Sequence, residues 1–184
     1  MNNYSKYLIN NGLTFGLILG AISIVLDLLQ YILGSTGIVV KIIIGLISLA
    51  LIISIFVISN KTLCKKQGGH LNYWEGVLNL LIVGFISSIM ISIYYYCFIK
   101  FFDSTVMTKE LEDAIELYEN NNFPQETIDK AYDARDTMTP IKYFLQKIGG
   151  LLIFSIIVSL ITAAFTRKKN DAFSDYSNIE EKSE

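Results

Sequence analysis

Charged residues are scarce in this 184-residue chain, and those present are unevenly distributed. Asp, Glu, Lys and Arg make up 17% of the sequence and apolar residues 52%, whereas an ordinary soluble domain carries about 25% charged residues. Residues 13–58 contain only Asp27 and Lys41, while residues 103–136 contain ten carboxylates. This distribution excludes an ordinary soluble domain and is typical of a lipid-embedded protein with polar loops.

Cysteine, histidine and recognisable catalytic motifs are also scarce. Cys64 and Cys97 fall near opposite ends of predicted membrane helices, about 30 Å apart, which excludes a disulfide between them. The single histidine, His70, has no second His or Cys at zinc spacing. No Gly-rich phosphate loop, Ser-His-Asp set or nucleophile elbow is present. We therefore expect no metal, no cofactor and no catalytic residue, and a protein that is not an enzyme.

Four stretches are apolar over about 20 residues, the length that crosses a bilayer. They are residues 13–33, 38–58, 77–99 and 148–165. The turn Gly34 to Gly37 joins the first two as an antiparallel hairpin. The first stretch exceeds the apolar part of a cleavable signal peptide, and no A-x-A-like site follows it. The sequence thus predicts an all-α, polytopic four-transmembrane-helix bundle, with residues 1–184 forming one membrane domain.

Lys and Arg beside the spans predict the orientation, because cytoplasmic flanks carry the excess. Four crossings place the N-terminus, residues 59–75 and the C-terminal tail on one side. Seven basic residues flank the spans there: Lys6, Lys61, Lys65, Lys66, Arg167, Lys168 and Lys169. Four flank them on the other side: Lys41, Lys100, Lys142 and Lys147. We therefore expect cytoplasmic termini, with residues 101–140 on the outer side of the membrane and residues 167–184 a disordered tail.

The acidic segment 101–140 is predicted to form a two-helix extramembrane insertion. Apolar residues recur at helical spacing from Thr108 to Asn120, and a second helix begins at Pro124 and ends at Thr139-Pro140. With polar opposite faces, both helices could lie on the membrane surface or cap the bundle. Their acidic stripes are interpreted as solvated faces, since no calcium-binding loop motif is present.

Small residues recur at helix-packing spacing on three of the four spans, which allows helix backbones to approach closely in a membrane. They are Gly12, Gly16 and Gly20 on the first span, Gly84, Ser88 and Ser92 on the third, and Ser155, Ser159 and Ala163 on the fourth. These faces indicate packing within the bundle. The alternative is that the Gly12-Gly16-Gly20 face drives homodimerisation.

Asp27 is the one acidic residue inside a predicted span. A carboxylate there is costly, so it either has a partner or performs a function. Lys41 lies within reach across the first hairpin, which predicts an intramembrane Asp27–Lys41 pair, or snorkelling of Asp27 to the interface. The alternative is a proton or cation site at Asp27.

His70 and Glu75 form a candidate site in the loop before the third span. A lone histidine beside Gly68-Gly69 is more often a plain loop residue than a metal ligand or a general base. We keep the pair only as a weak candidate for enzymatic chemistry.

Three features resemble a family of bacterial membrane proteins known as domain of unknown function 4199. They are the Phe15 to Gly20 opening, the Gly68-Gly69 pair shortly before Trp74-Glu75-Gly76, and the long polar insertion before Thr139-Pro140. Together they cover nearly the whole chain. The resemblance implies a four-span bacterial inner-membrane protein and carries over no functional residues.

The favoured interpretation is a non-catalytic membrane scaffold or interaction subunit, partnered by the lipid bilayer and by itself or another membrane protein. The alternatives are a small transporter or channel subunit using Asp27, and a lipid- or envelope-modifying enzyme using the His70–Glu75 loop. Nucleic acid is not an expected partner, because the basic residues form no continuous surface.

Overall fold

The computed structural model of the protein describes the backbone of residues 3–34 and 38–167 and the side chains of residues 5–34 and 42–167. This part of the chain forms helices α1 (Asn3–Leu33), α2 (Ile38–Lys66), α3 (Tyr73–Phe101), α4 (Thr105–Asn120), α5 (Gln125–Asp136) and α6 (Pro140–Thr166). The predicted all-α class, with a two-helix insertion before the last span, is confirmed. The predicted turn residues 35–37 and tail residues 168–184 lie outside the described residues.

Four helices are long and apolar enough to cross a membrane, as predicted. The spans are Ser5–Leu33 in α1, Ile42–Lys66 in α2, Tyr73–Phe101 in α3 and Pro140–Thr166 in α6. The helices extend beyond the predicted stretches, because hydropathy marks the hydrocarbon part while backbone hydrogen bonding continues through the interface. At α6 the helix begins at Pro140, and the hydroxyl of Thr139 accepts a hydrogen bond from the Lys142 backbone N–H at 3.3 Å.

Helix α3 lies at the centre of the bundle, with its most extensive contacts to α1 and α6. Helix α2 packs less extensively against all three. One cluster of buried apolar side chains lies among the four long helices and consists of Leu19, Ile55, Phe56, Leu80, Val83 and Val158. A second cluster consists of Leu8, Leu63, Cys64 and Leu71. The large apolar side chains that remain exposed on α2, such as Ile43 and Leu46, face the space that lipid occupies around a membrane bundle.

The bundle has two ends that carry different structures. The "terminal end" is formed by the start of α1, the α2–α3 turn and the end of α6. The "cap end" is formed by the other ends of these helices together with α4 and α5. At the cap end the hydroxyl of Tyr31 donates a hydrogen bond to Asp103 at 3.1 Å, which joins α1 to the segment after α3.

Helices α4 and α5 pack against each other through the buried side chains of Ile115 and Ile128. The Tyr132 hydroxyl also donates to Glu119 at 2.9 Å. Helix α4 begins three residues before the predicted start, because the Asp103 carboxylate accepts hydrogen bonds from the Thr105 hydroxyl at 2.7 Å and from its backbone N–H at 2.9 Å. These bonds, the hydroxyl bond above all, hold the pKa of Asp103 below its ordinary value.

Candidate functional site

A cluster of charged and phenolic side chains from four helices lies just inside the cap end. Lys147 of α6 forms an ion pair with Glu110 of α4, with 2.8 Å between Nζ and Oε2. The Tyr143 hydroxyl donates to the same Glu110 oxygen at 2.5 Å. The Lys147 ammonium also lies 4.4 Å from the centroid of the Tyr95 ring and 5.3 Å from that of Tyr143, which is cation–π distance.

Asp27 joins this cluster from α1. Its carboxyl interacts with the Tyr95 hydroxyl and lies in the electrostatic field of Lys147. Asp27 is six residues from the end of α1, about 9 Å along the helix at 1.5 Å per residue. The structure therefore brings the intramembrane acid together with a lysine far away in the sequence. The side chain of Lys41 lies outside the described residues, so the Asp27–Lys41 pair stays a prediction.

Beside the cluster, a partly open cavity of about 430 Å³ lies between α1, α3 and α4. Its lining contains three carboxyl groups, one lysine and four aromatic rings. The lining residues are Asp27, Gln30, Tyr31, Gly34, Tyr94, Tyr95, Phe98, Val106, Lys109, Glu110 and Asp113. The volume is that of a small-molecule site, typically about 300 to 1,000 Å³. We refer to it as the cap-end cavity.

The aromatic wall of the cap-end cavity is held by ring–ring contacts. The Tyr31 and Phe98 rings meet edge to face with centroids 4.9 Å apart, and Tyr94 lies 5.5 Å from Phe98. Phe98 also stacks on Phe102 at 5.7 Å. Such packing fixes the direction of the Tyr31 and Tyr94 rings. Tyr94 and Tyr95, near the end of the third span, thus both line the cavity.

A second polar cluster lies at the terminal end, where sequence reasoning did not place one. The side chains of Asn11, Ser59, Asn60 and Asn79 are at most 1% exposed. The Asn11 amide nitrogen donates to the Asn79 side-chain oxygen at 3.0 Å and to the Ser59 hydroxyl at 3.0 Å. The Asn79 amide nitrogen donates to the Ser59 hydroxyl and to the Asn60 side-chain oxygen, each at 2.9 Å.

We call Asn11, Ser59, Asn60 and Asn79 the amide network. It reaches the last span, because the Asn60 amide nitrogen donates to the Thr166 hydroxyl at 2.8 Å. It therefore joins α1, α2, α3 and α6. The available signal was three asparagines within two residues of an end of an apolar stretch, since an amide at the edge of a membrane span needs a partner. Sequence alone does not show that these three positions lie at the same depth.

The small-residue faces lie at helix contacts within the chain. Gly12, Gly16 and Gly20 of α1 face side chains of α3, namely Ile82, Ile86 and Met90. Gly84 of α3 faces Ser155 of α6 so closely that a Cβ at position 84 would overlap the Ser155 hydroxyl. The remaining predicted positions, Ser88, Ser92, Ser159 and Ala163, are buried.

Of the candidate residues His70 and Glu75, Glu75 contributes to the N-terminal cap of α3. The Glu75 carboxylate accepts a hydrogen bond from the Asn72 backbone N–H at 3.0 Å and so forms part of the capping box of α3. His70 follows Gly68 and Gly69 in the turn before α3, and both glycines have positive φ. Across the described residues, no group of three His, Cys, Asp or Glu side chains is arranged to hold a metal ion.

The four apolar spans make the chain a multi-pass membrane protein. The family model described as Protein of unknown function (DUF4199) matches residues 14–168, and the chain belongs to this family. Neither a curated protein nor a solved structure matches the chain.

Proposed function

We propose that the protein binds a small, positively charged solute in the cap-end cavity, as a small transporter or channel subunit of a bacterial inner membrane. The observation that supports this most directly is that Asp27, the acid inside the first span, lines a cavity of about 430 Å³. An intramembrane acid beside a cavity marks a solute or ion site by default.

The composition of the cavity wall favours a cation over an anion. Three carboxyl groups, those of Asp27, Glu110 and Asp113, line the space together with one lysine, Lys109. Lys147 pairs with Glu110 from outside the lining, so the carboxyl groups still outnumber the ammonium groups. Tyrosine rings add the negative face of an aromatic system, which attracts ammonium groups at about 6 Å or less. Helix α4 lines the cavity and α5 packs against α4. Both helices carry more acidic than basic residues, which raises the local cation concentration.

Lys147 illustrates the kind of group that this wall accepts. Its ammonium lies over the Tyr95 ring and contacts Glu110. A solute ammonium in the cavity would make the same kinds of contact. It would pair with the Asp27 carboxylate and lie against the Tyr31 and Tyr94 rings. We therefore infer an organic ammonium ion as the ligand class.

The small-residue faces, which a scaffold could use to bind a second protein, have partners within the chain. The glycines of α1 contact Ile82, Ile86 and Met90 of α3, and Gly84 contacts Ser155. A second protein could not use the same faces without separating α1 from α3. This argues for the solute-binding proposal over the scaffold.

The orientation that we infer from the flanking charges places the termini in the cytoplasm and the cap end outside. The cavity would then open toward the outside of the cell. A membrane potential that is negative inside favours inward movement of a cation by about 2.3 kcal/mol per 100 mV.

Binding of tetramethylammonium and choline to the purified full chain in detergent tests the proposal. We expect saturable binding by calorimetry, and at least an approximately tenfold weaker affinity for Asp27→Asn, which corresponds to about 1.4 kcal/mol. Asp129→Asn is the matched control, because Asp129 is an exposed acid on α5 outside the cavity. Failure of the wild type to bind either cation, or wild-type affinity in Asp27→Asn, would overturn the proposal.

A further inference from the structure

A line of polar side chains runs along the contact between α3 and α6. On α6, Ser155, Ser159, Thr162 and Thr166 are separated by four, three and four residues, so that they share one side of the helix with Lys147 at its edge. On α3 the buried Ser92 lies between Ser88, which lines a small cavity together with Ser155, and Tyr95, whose ring contacts Lys147. We call these eight residues the α3–α6 seam.

The seam is long enough to cross the hydrocarbon region. Lys147 and Thr166 are nineteen residues apart on α6, which is about 28 Å at 1.5 Å per residue. The hydrocarbon core of a bilayer is about 30 Å thick. The seam therefore extends from the level of the cap-end cluster in the membrane to the level of the amide network.

Three hydroxyl groups of the seam are buried and lack a hydrogen-bond partner among the described residues. They belong to Ser92, Ser155 and Ser159, whose side chains are 0%, 7% and 0% exposed. Ser88 behaves differently, since its hydroxyl donates to the Gly84 carbonyl of its own helix at 2.7 Å. A buried hydroxyl without a partner is unfavourable, so three along one helix contact point to a ligand that hydrogen-bonds.

A small cavity adjoins this row in the middle of the bundle. Its volume is about 40 Å³, and serines supply its polar wall: Ser23, Ser87, Ser88 and Ser155. The Ser155 hydroxyl points toward Gly84, which lines the same space. One buried water needs about 10 to 15 Å³ of such volume. The cavity can therefore hold about three water molecules.

Each end of the seam reaches a polar cluster that already spans several helices. At the cap end, the Lys147 ammonium lies over the Tyr95 ring beside the cap-end cavity. At the terminal end, the Thr166 hydroxyl donates to the Thr162 carbonyl at 2.9 Å and accepts from Asn60 of the amide network. The side-chain oxygen of Asn11 in that network also lacks a partner among the described residues.

We propose that water occupies the α3–α6 seam and that the seam relays protons between the cap-end cavity and the amide network. Serine hydroxyls and water both donate and accept hydrogen bonds, which a relay requires. A proton taken up at one end is balanced by a proton released at the other. Each O–H bond that breaks along the relay is replaced by a new O–H bond on the next oxygen. This function goes beyond cation binding, and neither proposal depends on the other.

Proton flux into liposomes that contain the purified full chain tests the relay. The vesicles enclose potassium and the pH-sensitive dye pyranine, and valinomycin sets a potential that is negative inside. We expect the wild type to acidify the lumen several-fold faster than protein-free vesicles. The double variant Ser155→Ala/Ser159→Ala should lose at least about 90% of this flux, because alanine preserves the small side chains and removes the hydroxyls.

Ser54→Ala is the matched control, because Ser54 is exposed on α2 and its hydroxyl donates to its own helix at Ala50. It should conduct like the wild type. Ser92→Ala provides the same test if the double variant does not fold. Wild-type flux no faster than that of protein-free vesicles, or undiminished flux in the alanine variants, would overturn the relay. Tetramethylammonium binding should persist in the alanine variants. Loss of proton flux can then be distinguished from loss of cation binding.

Discussion

At the scale of single residues, the Asn79 amide shows how a polar side chain is stabilised inside an apolar bundle. Its oxygen accepts from Asn11, and its nitrogen donates to Ser59 and Asn60. Its side chain is fully buried, so the loss of these bonds leaves other amides without partners. In membrane proteins, such interhelical hydrogen bonds contribute about 0.6 kcal/mol each on average and up to about 1.7 kcal/mol.

We predict that Asn79→Ala lowers the free energy of unfolding by about 2 kcal/mol, since three hydrogen bonds are lost at once. Unfolding by SDS in mixed micelles measures this difference. Asn10→Ala is the control, because Asn10 is an exposed asparagine in α1 next to the network residue Asn11. Equal destabilisation by the two variants would contradict a stabilising role for the amide network.

Asp27 could be singled out from the sequence, whereas its surroundings could not. An acid in an apolar stretch is visible in the sequence itself, but its neighbours Tyr95 and Lys147 lie on helices that are distant in the chain. In the sequence, Lys147 counts as a flanking charge beside the last span. Only the packing of α1 and α6 against α3 places it near Asp27.

At the scale of helices, the central position of α3 follows from the small residues that face it. The glycines of α1 allow Ile82, Ile86 and Met90 to approach the α1 backbone, and Gly84 allows Ser155 to approach α3. Hydropathy located all four spans, because each apolar stretch is continuous. It does not locate the helix ends, because polar flanks such as Asn10 continue the helix beyond the apolar stretch.

We predict that Gly16→Val destabilises the bundle by about 2 kcal/mol, because a side chain there would meet Ile86 and the Val83 carbonyl. SDS unfolding again provides the measurement. Gly45→Val is the control, since a Cβ at Gly45 in α2 has no neighbour within 4 Å. If the two variants were equally stable, close packing of α1 on α3 would be contradicted.

The same pair of variants addresses homodimerisation. Because the Gly16 face packs within the chain, we expect Gly16→Val to leave the oligomeric size in detergent unchanged. Sedimentation of both variants measures this. A smaller assembly for Gly16→Val alone would indicate that the Gly12-Gly16-Gly20 face joins two copies.

At the scale of the whole molecule, the bundle has a polar cluster near each end and a mainly apolar middle crossed by the α3–α6 seam. The two ends differ in chemistry: the terminal end has neutral amides, and the cap end has charges, phenols and a cavity. Because the two ends differ, the orientation of the chain matters for function: the orientation decides which side of the membrane the cavity faces.

We predict that the cap end lies outside the cytoplasm. Single cysteines are introduced by Phe123→Cys between α4 and α5 or by Lys65→Cys near the end of α2, with Cys64 and Cys97 replaced by serine. A membrane-impermeant maleimide should label the first variant in intact cells and the second only after permeabilisation. The opposite pattern would reverse the inferred orientation.

The amide network also has a consequence for biosynthesis. Its members come from α1, α2 and α3, but its last hydrogen-bond partner, Thr166, is the final residue of α6. During synthesis the N-terminal helices enter the membrane first, so Asn60 stays without this partner until the last span has been inserted. Helix α1 likewise meets its main partner only when α3 follows. The arrival of the last helix therefore completes the network.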